Sequence, residues 1–61
     1  MGKYEYEVMS DYGTVNIEAD QFCIDNEILT FMDVKNGDSI SKGVFKKWNY
    51  FTNKGEIIAH L

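Results

Sequence analysis

Apolar and polar residues alternate with a period of two over much of the chain, the signature of strands with one face buried and one wet. Over residues 4–9, Tyr4, Tyr6 and Val8 share one side and Glu5 and Glu7 the other. Residues 14–19 repeat the pattern, with Val15, Ile17 and Ala19 against Thr14, Asn16 and Glu18. Ser10-Asp11-Tyr12-Gly13 between them has turn composition, so the two segments predict a hairpin. Its matching apolar faces put Val8 opposite Val15, Tyr6 opposite Ile17 and Tyr4 opposite Ala19. The same register sets Glu5 against Glu18 on the polar face, a like-charge pair that something cationic should cover.

Farther along, Asp20-Gln21 reads as a corner, Phe22-Cys23-Ile24 as a short buried strand, and Asp25-Asn26 as a turn into a strand over residues 28–34. Asn36-Gly37 is the strongest hairpin signal, because both residues tolerate positive φ. Two registers are open there. A two-residue turn pairs Val34 with Ser39; a bulged three-residue loop pairs Val34 with Asp38 and aligns Ile28, Met32 and Val34 with Ile40 and Val44, and the bulged form is favoured. Residues 46–51 and 56–61, joined by Thr52-Asn53-Lys54-Gly55, predict a third hairpin with Tyr50 opposite Ile57 and Trp48 opposite Ala59. The expected fold is a single all-β domain over residues 1–61, an antiparallel meander of about five to six strands with barrel closure left open. The alternative is α+β with a short helix around residues 44–53, where Phe45, Trp48 and Phe51 also fit one helical face.

Size changes the picture. A chain of 61 residues buries only about 60% of the surface exposed by its unfolded form, and such cores rarely supply more than about 3–5 kcal/mol. One Cys and one His cannot staple it by disulfide or metal, so self-association is expected. Tyr12, Phe31, Met32 and Phe51 are hard to bury together in one small sheet, which points to a homodimer. Cys23, between Phe22 and Ile24, reads as a small buried hydrophobe in a reducing compartment. The first six residues lack the Ser or Thr of an acylation signal, and no apolar run approaches membrane-spanning length, so a soluble cytoplasmic chain is expected.

The net charge of −4 is unevenly distributed. Residues 1–30 hold seven of the ten acids against Lys3 alone, whereas residues 31–61 are net basic. The acidic half disfavours nucleic acid and anionic membrane and favours basic partners. The absence of Arg removes the bidentate fork suited to phosphate. For catalysis the inventory is thin: the only His is His60, next to the chain end, and the paired carboxylates have little volume in which to form a cleft. Asp20, Asp25 and Glu27 match no calcium-loop spacing, and the Gly residues are too scattered to cradle phosphate. No catalytic residue, metal or cofactor is expected.

Two interaction surfaces emerge instead. The first is an acidic face of Glu5, Glu7, Glu18, Asp25 and Glu27, suited to a basic protein surface. The second is a patch of Lys42, Lys46, Lys47, Trp48, Tyr50 and Lys54, whose mixture of bases and aromatics suits single-stranded nucleic acid. Lys47-Trp48-Asn49 and Lys54-Gly55 superficially resemble the cold-shock domain, but the following Glu56-Ile57-Ile58-Ala59 carries no aromatic platform and the run sits at the wrong end of the chain. A broader likeness runs through Val15-x-Ile17-x-Ala19-Asp20-x-Phe22, Asp25, Leu29-x-Phe31, Val44-Phe45 and Trp48. This progression is similar to one in short β-proteins of bacteriophages and their hosts, with Asn26-Glu27 where a Gly is usual. The resemblance implies a β architecture and a phage or prophage context, and brings no catalytic residue. The function expected is that of a small acidic protein-binding module, an inhibitor or accessory protein. The alternatives are nucleic-acid binding through the lysine patch or a structural, self-associating role.

Overall fold

The computed structural model describes residues 4–61; Met1, Gly2 and Lys3, on which part of the N-terminal signal reading falls, lie outside the described residues. Seven strands follow one another: β1 (Tyr4–Ser10), β2 (Gly13–Ala19), β3 (Gln21–Asp25), β4 (Ile28–Lys35), β5 (Asp38–Phe45), β6 (Tyr50–Asn53) and β7 (Glu56–His60). They form two antiparallel sheets, a four-stranded one in the order β2-β1-β6-β7 and a three-stranded one in the order β3-β4-β5. The fold is therefore all-β, with one strand more than the upper expectation, and neither sheet closes into a barrel.

The first hairpin keeps the predicted register, with Val8 opposite Val15, Tyr6 opposite Ile17, Tyr4 opposite Ala19 and Glu5 opposite Glu18. The Asn36-Gly37 hairpin corrects the favoured bulged loop: Val34 pairs with Ser39 and Lys35 with Asp38, leaving a two-residue turn. Asn36 (φ 54°) and Gly37 (φ 83°) both have positive φ, the conformation that matches strand twist across a two-residue turn. A register shift does occur, but within the ladder at Phe31/Met32 rather than at the turn. The third hairpin also shifts, at Phe51/Thr52. Tyr50 therefore faces His60, Phe51 faces Ala59 and Thr52 faces Ile57, in place of the expected Tyr50–Ile57 and Trp48–Ala59 pairs.

Residues 44–53 are not helical: β5 ends at Phe45, an irregular link follows, and β6 begins at Tyr50. The link crosses from one sheet to the other. The Asn49 N–H donates to Met9 O (2.8 Å), and Asn49 O accepts from the Leu61 N–H (3.0 Å), so this backbone is satisfied by neighbouring strands instead of by a helical ladder. Phe45, Trp48 and Phe51 do converge on one core, as a helical face would have brought them, but from a strand, a link and the facing sheet.

Tyr6, Val8, Ala19, Leu29, Phe31, Trp48 and Phe51 form that core. Aromatic rings join the sheets: Tyr6 and Phe31 have centroids 4.9 Å apart, Phe31 and Phe51 5.4 Å, and Phe22 and Phe51 4.9 Å, the last two edge-to-face. Burial also pushes the Tyr6 hydroxyl pKa upward, with a smaller contribution from Tyr4. Phe31 and Phe51 are thus fully enclosed, Met32 is half-buried, and of the four residues thought hard to bury only Tyr12 (80% exposed) stands clear of the protein.

A single corner residue carries the chain from β2 to β3. The Asp20 N–H donates to Met32 O (2.9 Å), while its carboxylate Oδ2 accepts from the Val34 N–H (2.7 Å). The side chain thereby continues the pairing of β4 beyond the end of β3, with a charge-assisted bond in place of a backbone one. β3 departs from the expected buried strand: every residue of it is exposed, Cys23 included. The physical reason is its place at a sheet edge. Phe22 turns inward to the aromatic cluster, so alternation sends Cys23 to the opposite face, which nothing in the chain covers.

Candidate functional site

Alternation along β1 and β2 builds an acidic concavity on the outer face of the four-stranded sheet. Tyr6, Val8 and Ala19 point into the core, so Glu5 and Glu7 on β1 and Asn16 and Glu18 on β2 point away from it. Glu5 faces Glu18 and Glu7 faces Asn16 across the strand pair. The β6–β7 turn closes the third side with Lys54 and Gly55, whose φ values of 53° and 84° make a tight turn. The resulting open hollow has a volume of about 370 Å³.

Its frame is held by neighbouring strands. Asn53 Nδ2 donates to the Glu5 carbonyl (2.9 Å), and Thr52 Oγ1 makes a long bond to Glu7 Oε1 (3.5 Å). Lys54 lines the hollow together with the Glu5–Glu18 pair. Three carboxylates against one ammonium still leave the hollow electronegative. Asn16 and Lys54 were absent from the acidic set read from the sequence. Asn16 could have been found from its place opposite Glu7, whereas Lys54 arrives through pairing of β1 with β6, between residues far apart in the chain.

Asp25 and Glu27 lie elsewhere. Asp25 ends β3 and Glu27 lies in the β3–β4 turn, where Trp48 Nε1 donates to Glu27 O at 2.8 Å. Trp48 precedes Asn49, which bonds Met9, four residues along β1 from Glu5. At about 3.3 Å per residue that is roughly 13 Å of strand, so the five acids fall into two groups instead of one face.

The lysine–aromatic set is dispersed as well. Trp48 is only 2% exposed, so its ring is unavailable to stack on a base. Tyr50 is half-buried on β6. Lys42 pairs with Asp33 (3.4 Å), Lys46 and Lys47 lie in the inter-sheet link, and Lys54 belongs to the acidic hollow. Among the described residues, no three His, Cys, Asp or Glu side chains gather as metal ligands would. His60 is exposed and engages Leu61 O. No described helix is long and apolar enough to cross a membrane.

Comparison of the chain with protein-family models, curated proteins and solved structures finds no match.

Proposed function

We propose that this protein is a small, non-catalytic binding module of phage or prophage context, an inhibitor or accessory factor acting in the cytoplasm, that captures a lysine-bearing or arginine-bearing segment of another protein. The observation that carries this reading is the hollow of Glu5, Glu7 and Glu18, three carboxylates set on paired strands around a space sized for a few side chains. Strand pairing fixes the backbone beneath these groups, so little ordering of the protein is needed when a cationic side chain enters. The charges are exposed, so they favour fast encounter and partner choice more than raw affinity, and salt weakens their effect.

The test compares immobilised wild-type protein with the combined Glu5→Gln, Glu7→Gln and Glu18→Gln variant. Nuclease-treated bacterial lysate is the first probe and a synthetic lysine-arginine peptide, followed by amide chemical shifts, is the second. The expected result is stoichiometric capture by the wild type alone, released by moderate salt, with peptide shifts centred on β1 and β2. Equal capture by the two proteins, or a peptide that leaves the Glu5, Glu7 and Glu18 amides unmoved, would overturn the reading.

A further inference from the structure

The fold places Asn36 differently from the other four Asn residues of the chain. Asn49 Nδ2 donates to Asp11 Oδ1 (3.1 Å) and Asn53 Nδ2 to Glu5 O (2.9 Å), which ties both amides down. Asn16 precedes Ile17 and Asn26 precedes Glu27, so a side chain crowds the peptide nitrogen that follows each. Asn36 is followed by Gly37, is exposed, and makes no side-chain hydrogen bond among the described residues. A Cβ placed on Gly37 would meet nothing within 4 Å, so the nitrogen after Asn36 lies in open space.

The tip that carries Asn36 is also lightly held. β3 pairs with β4 no farther than Met32, and β5 is an edge strand, so residues 34–39 project as a two-stranded ribbon in which every residue is exposed. Side-chain bonds from Asp20 to the Val34 N–H (2.7 Å) and from Gln21 to Ser39 Oγ (3.3 Å) hold its base, and neither reaches Asn36. A two-stranded ribbon is marginally stable by itself, so opening of this turn belongs to the low end of local opening free energies.

We infer that Asn36 is a site of spontaneous covalent modification, deamidation through the Gly37 nitrogen with water as the co-reactant. In the closed turn Asn36 (φ 54°) and Gly37 (φ 83°) are both held at positive φ. Opening frees them, and with no Cβ on Gly37 its nitrogen can swing onto Asn36 Cγ. A bond forms between the Gly37 nitrogen and Cγ, the bond from Cγ to Nδ2 breaks, and the displaced proton leaves with the side-chain nitrogen as ammonia. Water then opens the cyclic imide. Addition at Cγ breaks its bond to Gly37 and gives Asp; addition at the Asn36 backbone carbonyl breaks that bond to Gly37 and gives isoaspartate, with the chain rerouted through Cβ and Cγ. Nothing is oxidised or reduced. Either product turns a neutral amide into a carboxylate, moving the net charge from −4 to −5 beside Asp38. Isoaspartate also adds a backbone atom to a two-residue turn, which the Lys35–Asp38 pairing does not accommodate. The change is one-way and marks the age of a molecule at the tip of the three-stranded sheet, leaving the glutamate hollow on the other sheet as it was.

The experiment incubates the full chain in warm, mildly alkaline buffer, folded and in parallel unfolded in urea, as wild type and as Asn36→Gln, with circular dichroism verifying the folded samples. Intact mass follows the replacement of an amide NH₂ by OH, and peptide mapping locates it and separates Asp from isoaspartate. The folded wild type is expected to convert at a rate within about tenfold of the unfolded chain, as a turn that opens locally allows. Conversion should fall at residue 36, with isoaspartate among the products, while Asn16, Asn26, Asn49 and Asn53 stay intact. Folded Asn36→Gln should keep its mass over the same period. Amide shifts of the converted fraction should move at Val34, Lys35 and Ser39 and stay in place at Glu5, Glu7 and Glu18. A folded wild type that remains intact while the unfolded chain converts overturns the inference, because the closed turn then protects Asn36. So does conversion of the folded chain first at another Asn, or an equal mass gain in folded Asn36→Gln.

Discussion

The two sheets share one core yet present opposite surfaces to solvent. The four-stranded sheet turns Glu5, Glu7 and Glu18 outward, whereas the three-stranded sheet turns out Cys23, Thr30, Val34 and Val44. Their inner faces, by contrast, are alike: Tyr6 and Phe51 from one meet Phe22 and Phe31 from the other. A small β protein needs only one apolar face per sheet to fold, and the second face is where binding can be written. Here one outer face gathers carboxylates, and the other exposes a mixture of small apolar and neutral polar side chains.

The largest expected effect comes from removing the joint between the sheets. Phe31→Ala takes a fully buried ring from contact with Tyr6, Phe45 and Phe51, at a cost of about 3–5 kcal/mol, comparable with all the stability a core this size supplies. Both sheets should then unfold together at room temperature, read as loss of the β signal in circular dichroism. Survival of one sheet alone would show that the layers are independent.

Asp20→Ala acts on one sheet only. It deletes the carboxylate that accepts from the Val34 N–H, at a cost of about 1.5–3 kcal/mol. Hydrogen exchange should accelerate at Val34 and neighbouring β4 amides before it changes at Tyr6 or Val8. Uniform acceleration in both sheets would instead mean that the corner governs global unfolding.

The smallest effect concerns the outer face of the four-stranded sheet. Glu18→Gln removes the like-charge opposition to Glu5 and should stabilise the fold by a few tenths of a kcal/mol, most visibly in urea titrations at low salt. A loss of stability would mean that the Glu18 carboxylate contributes more to the folded state than its opposition to Glu5 costs.

Strand identity and the first hairpin were legible because alternation there is strict and both faces carry the same message. The later registers were less so. The Asn36-Gly37 turn allowed two loops; the chain takes the two-residue one, with positive φ at both turn residues, and the ladder irregularity falls at Phe31/Met32 instead. The stretch from Val44 to Asn53 carried aromatic spacing that fits both a helical face and a chain crossing between sheets, and the bonds of Asn49 to Met9 and Leu61 decide it. Cys23 looked buried because its neighbours are apolar; its strand is an edge, which no local pattern announces. At the candidate site, Glu5, Glu7 and Glu18 were readable as one face of a hairpin. Their separation from Asp25 and Glu27, and the approach of Lys54, were not.

Sequence alone determined the period-two elements, the positions of most turns, the acidic first half and the thin catalytic inventory, because these depend on side-chain chemistry and on contacts a few residues apart. Only the tertiary structure decided that seven strands split into two sheets, that Trp48 is buried and bonded to the Glu27 carbonyl, and that Lys54 joins Glu5, Glu7 and Glu18 around one hollow. Those outcomes rest on pairings such as β1 with β6, whose closure entropy is offset by the whole core at once and by no local segment of the chain.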